Sequence, residues 1–182
     1  ANRCPERVAM VELAVFVQHG HRDTEEWRTV EATARRLLDE LNAPAMLSRL
    51  VAANRPGVSS AEVQATFRVP AESLGFQSER KRLFEKSIAG LRPDYFLSVG
   101  DTGILLEVER GKTTTNNMDL LDFWKCHISG FASYLFLLVP IALQHNDEMT
   151  PKREFASVKR RLGQFFEARN YTNVRGLCLF GY

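Results

Sequence analysis

The chain has 182 residues, 45% of them hydrophobic, enough to bury the core of one compact domain. Its formal charge of +2 neither identifies nor opposes a nucleic-acid partner, and no apolar run reaches the length of a membrane span, so no membrane partner is expected. Cys4, Cys126 and Cys178 are too few and too scattered for a zinc pattern or a disulfide framework, which fits a reducing cytoplasm.

Residues 8–17 read as a strand buried on at least one face; the run is too short for a signal peptide and carries Glu12. His19-Gly20-His21 reads as a surface turn rather than a metal site, because no other ligand cluster is visible near it. Thr24 is a good N-cap for a helix over 25–41, with Glu25 and Glu26 in its first turn. Trp27, Val30, Ala34, Leu37, Leu38 and Leu41 give that helix an apolar stripe. A shorter helix is expected over 45–53, and Asn54-Arg55-Pro56-Gly57 breaks it. That break divides a strand-helix-helix extension, 1–57, from an α/β core, 58–182. Ser59 or Ser60 caps a short turn, and 64–69 reads as a strand ending at Pro70. Ser78 is a candidate N-cap for a helix to about residue 89, with a basic side of Arg80, Lys81, Arg82 and Lys86.

Residues 92–112 form the centre of the chain. Two β-branched, apolar runs flank Gly100-Asp101-Thr102-Gly103, the composition of a hairpin. A turn symmetric about Asp101 and Thr102 sets Asp94 opposite Glu109 and Phe96 opposite Glu107. Asp94, Glu107 and Glu109 then share one face, while Tyr95, Leu97, Val99, Ile104, Leu106 and Val108 share the other. Opposite and diagonal neighbours lie roughly 5–7 Å apart, so three carboxylates must raise their pKa values or hold a cation. An oxygen-only donor set suits magnesium or manganese.

Arg110-Gly111-Lys112-Thr113 contains a Gly-Lys-Thr triplet, but a phosphate loop needs glycine where Leu106 stands, so no nucleotide cofactor is expected. Asn116 or Thr115 caps a helix to about residue 128, with Met118, Leu121, Trp124 and Ile128 as its expected buried stripe. Lys125 is an ordinary exposed lysine unless it leans toward the carboxylates. Residues 133–139 read as a central strand parallel to the Glu107 strand. A helix over 152–168, with a basic outer side, and a strand over 173–182 complete the chain. The fold class is α/β: a mixed central sheet flanked by helices.

Pro93-Asp94, followed after a hairpin by Glu107-Val108-Glu109, resembles the PD-(D/E)XK signature of restriction-endonuclease-like nucleases. Glu109 stands where that superfamily usually has lysine. Glu107-Val108-Glu109-Arg110-Gly111 also resembles a stretch of plasmid replication-relaxation proteins. The first resemblance implies a restriction-endonuclease-like core and magnesium-dependent hydrolysis of DNA. Asp94, Glu107, the Val108 carbonyl and Glu79 would hold metal; Glu109 would orient or deprotonate water; Lys112 or Lys125 would stabilise phosphate charge. Arg80, Lys81, Arg110 and Lys112 would contact the nucleic acid, and a restriction-type enzyme would act as a homodimer. The second resemblance implies a non-catalytic DNA-binding or replication accessory domain.

Overall fold

Six strands form one mixed sheet in the order β1-β6-β5-β4-β3-β2 in a computed structural model that describes residues 10–78, 92–111, 113–143 and 150–182. The elements are β1 Glu12–Val17, α1 Glu25–Leu41, α2 Pro44–Ala53, α3 Ser60–Ser73, β2 Gln77–Ser78, β3 Tyr95–Val99, β4 Thr102–Val108, α4 Met118–Ile128, β5 Tyr134–Val139, α5 Glu154–Gly163 and β6 Gly176–Gly181. A 3-10 turn, Gln164–Phe166, extends α5. β4, β5 and β6 run parallel; the other neighbours are antiparallel.

The three parallel strands are buried along their whole length because helices cover both faces. One face carries Ile104, Leu106, Tyr134, Phe136, Leu138, Cys178 and Phe180 against α1, α2 and α3. The other carries Leu105, Leu135, Leu137, Leu177 and Leu179 against α4 and α5. Each such side chain stabilises the fold by about 1.5–3 kcal/mol relative to exposure. The stretches before and after residue 57 share this sheet, since β1 pairs along β6 from Glu12↔Gly181 to Val17↔Gly176.

α1 has the limits its sequence predicts. Thr24 accepts the Trp27 N–H at 3.1 Å, and Trp27, Val30, Ala34, Leu37 and Leu41 are buried. Gly176 makes that packing possible: a Cβ there would sit 2.4 Å from the Trp27 ring.

Three expectations are corrected. Residues 64–69 are not a strand but the middle of α3. Ser59 and Glu62 form a reciprocal capping box that starts this helix, and Pro70 is carried inside it, buried against the core. The hairpin register is shifted by two: Val99 pairs with Thr102 and Tyr95 with Leu106, so Asp94 faces Glu107 rather than Glu109. Gly100, with φ +56°, and Asp101 make the two-residue turn, and glycine at its first position supplies the positive φ such hairpins favour. Because the shift is even, the two face sets survive it. The third correction is α4. Leu121, Trp124 and Ile128 are exposed by 42%, 56% and 42%, while Asp119, Asp122, Phe123 and Cys126 are buried.

Candidate active site

Asp94 and Glu107 close the end of the β3–β4 hairpin by a reciprocal exchange. The Asp94 N–H donates to Glu107 Oε2 at 3.2 Å, and the Val108 N–H donates to Asp94 Oδ2 at 2.9 Å. Each carboxylate is thereby fixed by the other's strand. Gln64 of α3 donates from Nε2 to Asp94 Oδ1 at 3.1 Å and Oδ2 at 3.3 Å. This contact depends on α3 being a helix, which brings Gln64 over the hairpin end.

Lys125 reaches in from α4. Its Nζ donates to Glu107 Oε1 at 3.1 Å and to Asp122 Oδ1 at 2.8 Å. Asp122 lies three residues before Lys125, so both project from one side of the helix. That buried side is polar where the apolar spacing predicted solvent, and it places a cation and a fourth carboxyl against the hairpin acids. Glu109, one residue beyond β4, brings its carboxyl beside that of Asp122. Tyr182 donates its phenol O–H to the Glu109 carbonyl at 2.7 Å and ties this residue to the chain's end.

Asp94, Glu107, Glu109 and Asp122 thus surround one lysine. Burial pushes Asp94 upward against the opposing Val108 N–H. Burial and the Asp122 charge push Glu107 well upward. Glu109 rises to about 8, through burial, the Asp122 charge and the bond between the two carboxyls. Burial also raises Asp122, against the pull of Lys125. Burial alone would lower Lys125; Glu107 and Asp122 together outweigh it and hold the ammonium charged. Asp122 Oδ2 is buried without a hydrogen-bond donor.

A second acidic group anchors the start of α4. Arg161 of α5 approaches Asp119 Oδ2 at 3.5 Å and donates to the Thr114 carbonyl at 3.0 Å. Thr114 Oγ1 donates to Glu154 Oε2 at 2.8 Å. These contacts pin the 113–117 turn to α5 and aim the Asp122 side of α4 at the sheet.

The site residues expected from sequence divide into three groups. Asp94, Glu107, Glu109 and Lys125 come together. Arg110 is turned toward the helix layer, donating from Nη2 to the Arg55 carbonyl at 2.7 Å. Glu79, Arg80, Lys81 and Lys112 lie outside the described residues, as does the helix expected after Ser78. Asp122 and Gln64 belong to the cluster and were missed. For Asp122 the signal was present: Asp119, Asp122 and Lys125 recur every three residues, a polar stripe beside the apolar one.

Beside Asp94 lies a recess of about 250 Å³, lined by Ala61, Gln64, Ala65, Arg68, Ser78 and Tyr95. Among the described residues, no three His, Cys, Asp or Glu side chains stand in a ready-made metal cage. The donor atoms are all oxygen, the type a hard cation takes, and among the described residues the clustered carboxyls outnumber the lysine they surround. Magnesium is commonly held by one or two carboxylates, its remaining positions filled by water and phosphate oxygens. No helix of the described residues is long and apolar enough to cross a membrane. Comparison with protein-family models, with curated proteins and with solved structures finds no match.

Proposed function

We propose that the chain is a magnesium-dependent endonuclease acting on DNA, built on a restriction-endonuclease-like core. One observation carries this reading: Asp94 and Glu107 are locked face to face at a hairpin end, with a charged lysine reaching Glu107 from the following helix. The antiparallel run β2-β3-β4, the crossover through α4 and the parallel β5 agree with the core that the Pro93-Asp94 and Glu107-Val108-Glu109 resemblance implies.

Asp94 and Glu107 hold the metal, with the Val108 carbonyl as a further ligand; manganese serves in place of magnesium. The bound ion supplies Lewis-acid polarisation of the scissile phosphate and a more acidic water. The protein supplies the proton acceptor. Glu109, with a pKa of about 8, ionises near neutral pH, where a general base is most effective, and Asp122 beside it takes part in holding the proton. Lys125 fills the charge role of the family's lysine from α4, opposing the upward push of burial and Asp122 on Glu107 and offering its ammonium to the phosphate.

The test is a plasmid-nicking assay beside calorimetric titration of magnesium and manganese, on the wild type, Asp94→Ala and Glu107→Gln. Metal binding and nicking that disappear together in both variants are the expected result. A wild type that neither binds metal nor nicks overturns the catalytic reading. The second reading, a non-catalytic DNA-binding module such as a replication accessory domain, is favoured by one feature: Lys125 is already engaged by two carboxylates. It predicts DNA binding that is indifferent to magnesium and to Glu107→Gln.

A further inference from the structure

Toward the opposite end of α4 from Asp119 lies a recess of about 140 Å³ lined by Phe123, Trp124, His127, Phe165, Tyr171 and Thr172. A second recess, lined by Gln164, Phe165, Asn170 and Tyr171, shares Phe165 and Tyr171 with it. Phe123 and Phe165 stack at 4.5 Å and give the first recess apolar ring faces. Trp124 stands edge-on to His127 at 5.5 Å, and Tyr171, which lines both recesses, is 95% exposed.

The segment carrying Tyr171 is held in place. The Asn173 N–H donates to His127 Nδ1 at 3.1 Å, Asn173 Nδ2 donates to the His127 carbonyl at 2.9 Å, and Thr172 Oγ1 lies 3.0 Å from the same Nδ1. Because His127 Nδ1 accepts a backbone N–H, the neutral ring carries its proton on Nε2 and can offer only a donor there. Arg169, two residues before Tyr171, has φ +80°, a costly conformation for a residue with a side chain. Such strain gathers at binding sites.

The segment that supplies Phe165, Tyr171 and Thr172 to the recess is lopsided in charge. Residues 159–175 carry Lys159, Arg160, Arg161, Arg169 and Arg175 against the single carboxylate Glu167. Arg161 is engaged by Asp119 and Arg175 by Glu26, and Lys159, Arg160 and Arg169 are exposed. Exposed aromatic rings interleaved with exposed cations match one ligand class, a polyanion whose repeating units carry planar rings.

We propose that this recess is a nucleobase-stacking subsite: it receives an unpaired base of a nucleic-acid strand on the Trp124 and Tyr171 rings, while Lys159, Arg160 and Arg169 attract the flanking phosphates. The subsite rests on the nucleic-acid reading above but not on metal chemistry, and it specifies that reading further, toward a single-stranded segment.

Trp124 is its own reporter, since the other tryptophan, Trp27, is buried. The test titrates a thymidine 12-mer and a base-free deoxyribose-phosphate 12-mer into metal-free protein, following tryptophan emission and affinity. The same titrations are run on Tyr171→Ala and Trp124→Ala, with plasmid nicking in magnesium measured in parallel. The thymidine strand is expected to quench Trp124 emission and to lose about tenfold in affinity in each variant. The base-free strand is expected to bind more weakly, without quenching. Equal quenching by both strands, or unchanged affinity in both variants, overturns the subsite. A wild type that nicks plasmid but whose Trp124 emission does not respond to the thymidine strand overturns the subsite and leaves the nuclease reading standing; a wild type that neither binds the strand nor nicks removes the two together.

Discussion

The chain's two tryptophans sit on two helices built by opposite rules. On α1, Trp27 is 2% exposed and belongs to a stripe in which every apolar residue faces the sheet. On α4, Trp124 is 56% exposed, and the residues turned inward include Asp119 and Asp122. Both helices cover the same sheet. The difference is what lies beneath: under α1 the strands present apolar side chains and the Tyr134 ring, whose hydroxyl is met by Glu26, whereas α4 crosses the Asp94–Glu107 end, where an apolar helix face would strand two carboxylates without partners. A helix placed over buried acids must bring polar groups inward, and its own apolar residues are then displaced to the outside.

The largest expected effect tests the conventional half of that contrast. Trp27→Ala should cost about 4 kcal/mol by urea denaturation, because the indole fills the space over Gly176 and contacts the Tyr134 ring at 5.9 Å. Gly176→Ala should be damaging for the same reason, since its Cβ would lie 2.4 Å from the indole. A loss for Trp27→Ala below about 1 kcal/mol would mean that α1 is not packed as described.

Next comes the ion cluster beneath α4. Lys125→Met removes the one cation that, among the described residues, meets Glu107 and Asp122, and should cost about 3 kcal/mol near neutral pH. The loss should shrink on acidification, as the stranded carboxyls take up protons. A loss that does not vary with pH would show that the methylene stem of the lysine, not its charge, holds α4 in place.

A smaller effect separates Glu109 from its neighbours. Its carboxyl is ordinarily near 4.5 and is raised to about 8 in the fold. A raised acid favours the folded state fully below its unfolded pKa, and the advantage is lost as pH rises through the folded one. Stability should therefore fall between about pH 4.5 and 8. The slope owed to Glu109 should stay under about 1.4 kcal/mol per pH unit, because the residue is partly open to water. Glu109→Gln keeps a donor for Asp122 and should flatten the slope. An unchanged slope would assign it to Glu107, Asp94 and Asp122, which burial also raises.

Most of the architecture was legible because it follows from local chemistry. Thr24 with its two acids, the turn chemistry of Gly100-Asp101-Thr102-Gly103 and the unbroken apolar run of β5 each specify an element without outside help. The pairing of face sets on the hairpin was legible for the same reason, although its register was not: a symmetric and an offset turn put the same residues on the same face, and only the positive φ at Gly100 decides between them. The helix over Ser60–Ser73 was hidden by Pro70, a residue that ordinarily ends a helix but here is carried inside one. Of the site, Asp94, Glu107 and Glu109 stood out as acids within a core-like run. Asp122 did not, because its burial is dictated by Glu107 and Glu109 across the chain. In α4 two stripes compete at the same period, and the partner chosen by tertiary packing settles which one turns inward.

The sharpest check on that inversion is the mutation expected to do least to the fold. Trp124→Ala removes the same side chain as Trp27→Ala, and by the apolar period of α4 the two losses should be equal. With Trp124 on the solvent side, the change should alter stability by less than about 0.5 kcal/mol, and alanine's better helix propensity offsets part of that. The urea midpoint and its slope should both match the wild type. A loss of 3 kcal/mol or more would turn α4 over, bury its apolar stripe as the sequence alone suggested, and carry Asp122 and Lys125 away from Glu107. A near-silent Trp124→Ala leaves those groups where the hairpin acids need them. It also makes any loss of strand binding in that variant attributable to the missing ring rather than to an unfolded helix.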